Sequence, residues 1–261
     1  MDALTASGAG LLIPEVDPLR SGLAAELKGL LAERRFLVIR AGLPDLPGTV
    51  TLLSGLGPIN EAATRKDGAV MVEEHDDDEV FRSNAALPLH TDGVLTGFDV
   101  RYVGIWCASF DDVTGGRTFV SDADRALLGA PTEHVELLRE KGIEVLALDA
   151  TGYYRSEYSG TWTRFPAFRS RNAGPASLAI GLPHGPDEPE SWRIRIPDVD
   201  SELSDAILAS VREALLDEAH TYVHDWHPGD LLLMDNDTVM HGREAFSARS
   251  RRLANIQVLA T

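Results

Sequence analysis

From Leu87 to the C-terminus the chain is built of short apolar runs broken by turns, and this limits its fold more than any other feature. Strand-like runs stand at Val100 to Phe110, Arg117 to Ser121, Ile143 to Leu148, Trp192 to Ile196, Tyr222 to His224, Leu231 to Met234 and Leu253 to Leu259. Two of the breaks, Asp111 to Gly116 and Pro183 to Pro189, are rich in the Gly, Pro and Asp that turns use. A parallel sheet would need a long helical crossover between each pair of strands. Helical spacing is instead confined to a few stretches. Residues 21–34 carry Leu23, Leu27, Leu30 and Leu31, and residues 200–218 carry Leu203, Ile207, Val211 and Leu215. Shorter or more polar helical stretches cover 50–56 and 122–141. The pattern predicts a mainly β fold with flanking helices, its sheets closed or doubled on themselves.

The remaining segments fit one domain over residues 1–261. Residues 1–60 read as an N-terminal helical flank, opening with a small, polar, loosely held lead-in over 1–20 and including a buried strand from Phe36 to Arg40. Residues 61–79 and 151–172 read as inserted loops, the first strongly charged, the second dense in aromatics and Arg. A net charge of −17, from 41 acidic and 24 basic residues, argues against nucleic acid and an anionic membrane surface as partners. No apolar run reaches the roughly 18 residues of a membrane span, and the start Met1-Asp2-Ala3-Leu4 lacks a signal peptide's basic and apolar regions. The single cysteine, Cys107, lies in an apolar run and reads as a packed thiol in a reducing compartment. A cytoplasmic location is the expectation.

Within this framework one tripeptide carries chemistry. In His90-Thr91-Asp92 the outer residues project from the same face of an extended strand, so an imidazole nitrogen and a carboxylate oxygen can meet one ion. His241, in Met240-His241-Gly242-Arg243, offers a third ligand. Two His and one carboxylate on one side of a metal form the facial triad of non-haem Fe(II) oxygenases. The tripeptide alone is weak: with eight His and 23 Asp in 261 residues, about 0.7 such matches arise by chance. A second match, His75-Asp76-Asp77, sits in a run of like charge that reads as a solvated loop. His90 follows Ala85-Ala86-Leu87-Pro88-Leu89, an apolar approach to a core, and is the better ligand.

These residues resemble a known family. His90-Thr91-Asp92, Gly115-Gly116-Arg117-Thr118, and the run from Trp226-His227-Pro228-Gly229-Asp230 through Asp235-Asn236 to His241-Gly242-Arg243-Glu244-Ala245-Phe246 are similar to the TauD/TfdA group of Fe(II)- and 2-oxoglutarate-dependent dioxygenases, with its taurine dioxygenase and clavaminate synthase-like members. The resemblance covers about residues 22–258. It implies a double-stranded β-helix, or jelly roll, with His90, Asp92 and His241 as iron ligands and Fe(II), 2-oxoglutarate and O2 as cofactors. Thr118 corresponds to a residue that binds the co-substrate's distal carboxylate. The family's carboxylate-binding Arg heads an Arg-x-Leu strand, here within Arg251-Arg252-Leu253. Placing Leu253 in the apolar position favours Arg251, with Arg252 the alternative one residue along; a one-residue slip reverses every side chain's face. Trp226 and Asp235-Asn236 read as structural, fixing the turn and strand that deliver His241.

What the resemblance implies for function is oxidation of a small molecule, such as an amino-acid derivative or natural-product intermediate, with 2-oxoglutarate decarboxylated to succinate and CO2. Hydroxylation, desaturation and cyclisation would share the same site. A carboxylate at Asp92, where related halogenases have a small residue, argues against halogenation. Asn255 stands where many relatives have an Arg that grips an anionic substrate. Arg82, Arg155 and Arg164 are candidate substitutes, and Tyr153 and Trp162, with the segment around them, a candidate lid. Two other readings compete: a jelly-roll metalloenzyme with a non-oxidative role, and a metal-stabilised binding domain. The triad, Thr118 and the Arg pair together argue against both.

Overall fold

In the computed structural model, residues 2–43, 45–61, 70–73, 84–94, 96–111, 114–148, 158–170, 176–186, 188–247 and 250–261 are described. Six strands form the larger sheet, in the order β1 (Leu11–Ile13), β2 (Phe36–Ile39), β14 (Leu231–Asp235), β5 (Val100–Asp111), β17 (Ser250–Leu259) and β3 (Val70–Glu73). Only β1 and β2 pair in parallel. A four-stranded sheet runs β13 (Thr221–His224), β7 (Thr118–Asp122), β15 (Val239–Arg243), β4 (Leu87–His90), all antiparallel. A third sheet orders β12 (Trp192–Arg195), β8 (Ile143–Ala147) and β9 (Thr163–Phe165). Two small ribbons pair β10 (Phe168–Arg169) with β11 (Ser177–Leu178), and β6 (Thr114–Gly115) with β16 (Phe246–Ser247).

Alternation along the strands builds the layers. On one face of the six-stranded sheet Leu37, Ile39, Leu231 and Leu233 pack with Leu23, Leu27 and Leu31 of α1 (Leu23–Arg34) and Leu52 and Leu53 of α2 (Leu46–Ser54). On the other face Val38, Val103, Cys107, Leu232 and Leu253 meet Val120 and Val239 of the four-stranded sheet. The outer side of that sheet, through Leu89 and Met240, packs against the three-stranded sheet and against Ile207, Val211 and Leu215 of α5 (Ser201–Leu215). Between α5 and β7 in the chain lie a short α3 (Ala123–Ala126) and α4 (Thr132–Lys141). The result is helices, large sheet, smaller sheet, then outer sheet with helices, and the functional residues lie in the space between the two larger sheets. Among the described residues no helix is long and apolar enough to cross a membrane.

Four segments differ from expectation. The N-terminal lead-in is not loose: Ala9 and Leu11 are buried, Gly10 N–H donates to Arg34 O, and β1 extends the sheet. The second helix begins at Leu46, ahead of Val50, because Asp45 caps it by accepting from Gly48 N–H, a start that Pro47 tolerates. The two segments expected as loops contain strands. Val70–Glu73 adds an edge to β17, and β9 and β10 fall within 151–172.

Candidate active site

β4 and β15 are neighbours in the smaller sheet, and their register sets His241 directly across from His90. Gly242 makes that pairing possible. A Cβ there would meet Leu87 O at 2.8 Å and Leu89 N at 3.0 Å, so a side chain would push β4 away. The two imidazole rings lie 4.4 Å apart between centroids. Asp92, just past the end of β4, brings Oδ1 to 3.3 Å from His90 Nε2 and 4.0 Å from His241 Nε2. One ligand atom from each of the three falls within 4.8 Å of the others, and all three residues are buried.

The surroundings orient these groups. His90 Nδ1 is 2.9 Å from Pro88 O, which fixes the ring and leaves Nε2 directed at Asp92. Burial, and then the neighbouring His90, lower the His241 pKa to about 3. Its imidazole is therefore neutral and able to ligate at physiological pH. Burial alone would raise the Asp92 carboxyl, but the His90 hydrogen bond, the electrostatic coupling to the His241 and His90 imidazoles, and a Gln257 hydrogen bond hold it well below the usual carboxylate range. Asn236 grips the Asp92 backbone from both sides. Its Oδ1 accepts from Asp92 N–H at 3.0 Å, and its Nδ2 donates to Asp92 O at 3.0 Å and Val100 O at 2.9 Å. Asn236 thus serves Asp92 directly, beyond shaping the strand that leads to His241.

A second group of residues lies along the same inner face. Arg243, two residues past His241, pairs in register with Thr118 on β7. The Thr118 hydroxyl accepts from Trp226 Nε1 at 3.0 Å, which leaves its own proton free to donate. Across the gap, Arg251 heads β17 and is 2% exposed, with its Nη2 donating to Gly116 O at 3.2 Å. Its guanidinium sits 4.4 Å from the Phe246 ring centroid, and that of Arg243 at 5.2 Å. Burial and then the Arg243 charge lower the Arg251 pKa to about 9, so it stays cationic at neutral pH. Arg251 Nε has no hydrogen-bond partner among the described residues. A buried cation so poorly compensated is costly unless an anion joins it. Arg252 points the other way and is exposed.

The other sequence candidates divide. Asn255 lies near the triad, with Nδ2 3.5 Å from Asp92 Oδ2. Trp162 and Arg164 do not approach it. The Trp162 ring stacks under Arg195 at 4.2 Å, and Arg164 is exposed and reaches Lys141 O at the end of α4 and Asp198 in the turn after β12. Arg82, Tyr153, Arg155 and the rival ligand His75 lie outside the described residues. Gln257, whose Nε2 donates to Asp92 Oδ2 at 2.9 Å, went unremarked in the sequence. The available signal was its place two residues beyond Asn255, on the same face of an inward-facing strand.

The donor set fits a divalent metal held by two neutral imidazoles and one carboxylate, beside a cationic pocket for an acid. The tyrosine isonitrile desaturase of Pseudomonas aeruginosa is 28% identical over 270 residues, an alignment covering 93% of this chain and 84% of that protein. The 3-((Z)-2-isocyanoethenyl)-1H-indole synthase of Fischerella ambigua is 21% identical over 194 residues, covering 73% and 69%. In fold, the PvcB protein from Pseudomonas aeruginosa matches with a TM-score of 0.73 at 24% identity, over 97% of this chain and 86% of that one. The model of the taurine catabolism dioxygenase TauD, TfdA family matches residues 2–257. A match of that extent leaves only Met1 and the last four residues aside, and the chain belongs to the TauD/TfdA family of Fe(II)- and 2-oxoglutarate-dependent dioxygenases.

Proposed function

We propose that this dioxygenase desaturates a small amino-acid-derived substrate bearing an isocyano group, at a metal held by His90, Asp92 and His241. The observation that carries the reading is the buried triad, with ligand atoms within 4.8 Å of one another. The substrate class is supported by similarity to a tyrosine isonitrile desaturase and an isocyanoethenyl-indole synthase. We read the chain as one jelly-roll domain, a double-stranded β-helix whose walls are the two larger sheets.

Bound iron would supply the oxygen-activating chemistry that no side chain provides. The remaining work falls to the protein's own groups. Arg251 would hold the far carboxylate of 2-oxoglutarate with its planar, charge-assisted fork, using the Nε that is otherwise without a partner. Thr118, its oxygen occupied by Trp226, would donate to the same carboxylate. Phe110 and Phe246 flank Arg251 and keep water from competing. In the overall reaction the substrate loses two hydrogens and 2-oxoglutarate loses CO2 to become succinate. One oxygen of O2 enters succinate and the other leaves as water.

Asn255 tunes the substrate side. Its amide must turn Nδ2 toward the acceptor-only Asp92 carboxylate, and Oδ1 is left buried without a partner among the described residues. That position therefore offers an acceptor and no cation, which suits a neutral or donor group. An anionic substrate group would find its partner elsewhere, with Arg82 and Arg155 the candidates. The test is succinate release with Fe(II), 2-oxoglutarate, O2 and a panel of small molecules that includes the isocyano derivatives of tyrosine and tryptophan. The reading expects stimulated release and a product lighter by two hydrogens. A product heavier by one oxygen assigns hydroxylation instead, and no stimulation by any isocyano compound removes the substrate class.

A further inference from the structure

We infer that Gln257, turned by Asn60, is a positioning residue that holds the Asp92 carboxylate with a single oxygen directed at the metal. The inference rests on the triad reading above. Asp92 Oδ2 accepts from Gln257 Nε2 at 2.9 Å, and Gln257 Oε1 accepts from Asn60 Nδ2 at 2.9 Å. Asn60, Gln257 and Asp92 are 1%, 5% and 4% exposed, so water does not substitute for any of these bonds. The segment after α2 is docked to make the contact: Ile59 bridges to Val258, and Asn60 N–H donates to Gln257 O at 2.9 Å.

The chain of bonds has a direction. An ionised carboxylate only accepts, so Gln257 must show it the NH2 end of its amide. Flipping a Gln amide costs little in shape, so its orientation is set by its partners, the carboxylate on one side and Asn60 on the other. Asn60 adds to what the carboxylate asks for. With its NH2 against Gln257 Oε1, a flip would set two donors against each other and an acceptor against the carboxylate. Such a mismatch is expensive in a dry interior. Gln257 thereby occupies Oδ2, while Oδ1 remains on the side of His90 and His241. Without it, among the described residues, Oδ2 would keep only the long 3.5 Å approach of Asn255 Nδ2. The carboxylate would then be free to rotate away from its ligating pose.

Anaerobic titration with Mn(II), which needs no turnover, tests this. Gln257→Met keeps the volume and removes the donor. It should weaken Mn(II) binding by roughly 10- to 100-fold, the usual effect of losing a residue that orients a metal ligand. Asn60→Ala leaves Gln257 in contact with Asp92 but its Oε1 without Asn60 and its amide held from one side only, and should weaken binding by about threefold to tenfold. Residues that merely pack would lower the melting temperature and leave Mn(II) affinity unchanged. Affinity within twofold of wild type in Q257M, or in N60A should Q257M not fold, overturns the inference. His241→Ala serves as the control. If it abolishes binding while Q257M stays within twofold of wild type, this inference alone fails; if it binds Mn(II) as wild type does, the triad reading fails with it.

Discussion

Arg251 and Arg252 differ by one position and by almost everything physical. In an extended strand the two must face opposite ways, and here Arg251 goes inward beside Phe246 while Arg252 goes to solvent. The family resemblance narrows the choice to this pair, and Leu253 as a register mark favours Arg251. The pairing of β17 with β5, Arg251 opposite Phe110, agrees: Arg251 is the buried one. On the proposed role, Arg251→Ala removes a charge-assisted partner of a carboxylate in a dry pocket, at about 2–4 kcal/mol. A direct anaerobic binding measurement should then show 2-oxoglutarate affinity weakened roughly 30- to 1,000-fold, with Arg252→Ala within about twofold of wild type. A defect confined to Arg252→Ala would mean that the strand's register is shifted by one.

At the scale of elements, the site is a product of two close approaches. Gly242 lets β4 come against β15, and Gly116 lets Phe246 and Arg251 come against the turn before β7. Gly116 has φ +73°, and a Cβ there would meet Phe246 Cβ at 3.0 Å and Arg251 Nε at 3.1 Å. Gly116→Ala should strain the turn and displace the guanidinium by a cost of about 1–2 kcal/mol. The expected readout is 2-oxoglutarate affinity about tenfold weaker with metal affinity nearly unchanged; equal loss of both would show that the turn supports the whole site. The elements themselves were unevenly legible. Helix α1 announces itself through Leu23, Leu27 and Leu31, all three buried against the large sheet. Strand β1 is only three residues long and follows small, polar residues, so its parallel pairing with β2 leaves no local mark. The outer strands β9 and β10 are hidden for a similar reason. Their aromatics and arginines look like a binding loop, yet Trp162 and Arg164 are engaged with Arg195 and Asp198.

Across the whole molecule, residues far apart in the chain meet between two sheets, and this is where sequence reading ends. The triad was legible because its chemistry demands particular residue types at a strand's spacing. Asn60 and Gln257 were not: an amide is unremarkable in either place until the fold sets them beside Asp92. Asn236 reads in the sequence as part of the turn leading to His241, and nothing local says that it will also grip the backbone at Asp92. On the proposed reading, His90, Asp92 and His241 form one iron site that 2-oxoglutarate then chelates, with its far carboxylate in the Arg251 pocket. The most direct measurement is anaerobic addition of Fe(II) and then 2-oxoglutarate, followed by visible absorption. The wild-type protein should develop the weak charge-transfer band of a chelated 2-oxo acid, and His241→Ala should not. The same band at the same intensity in His241→Ala, or none in wild type at saturating 2-oxoglutarate, would contradict it.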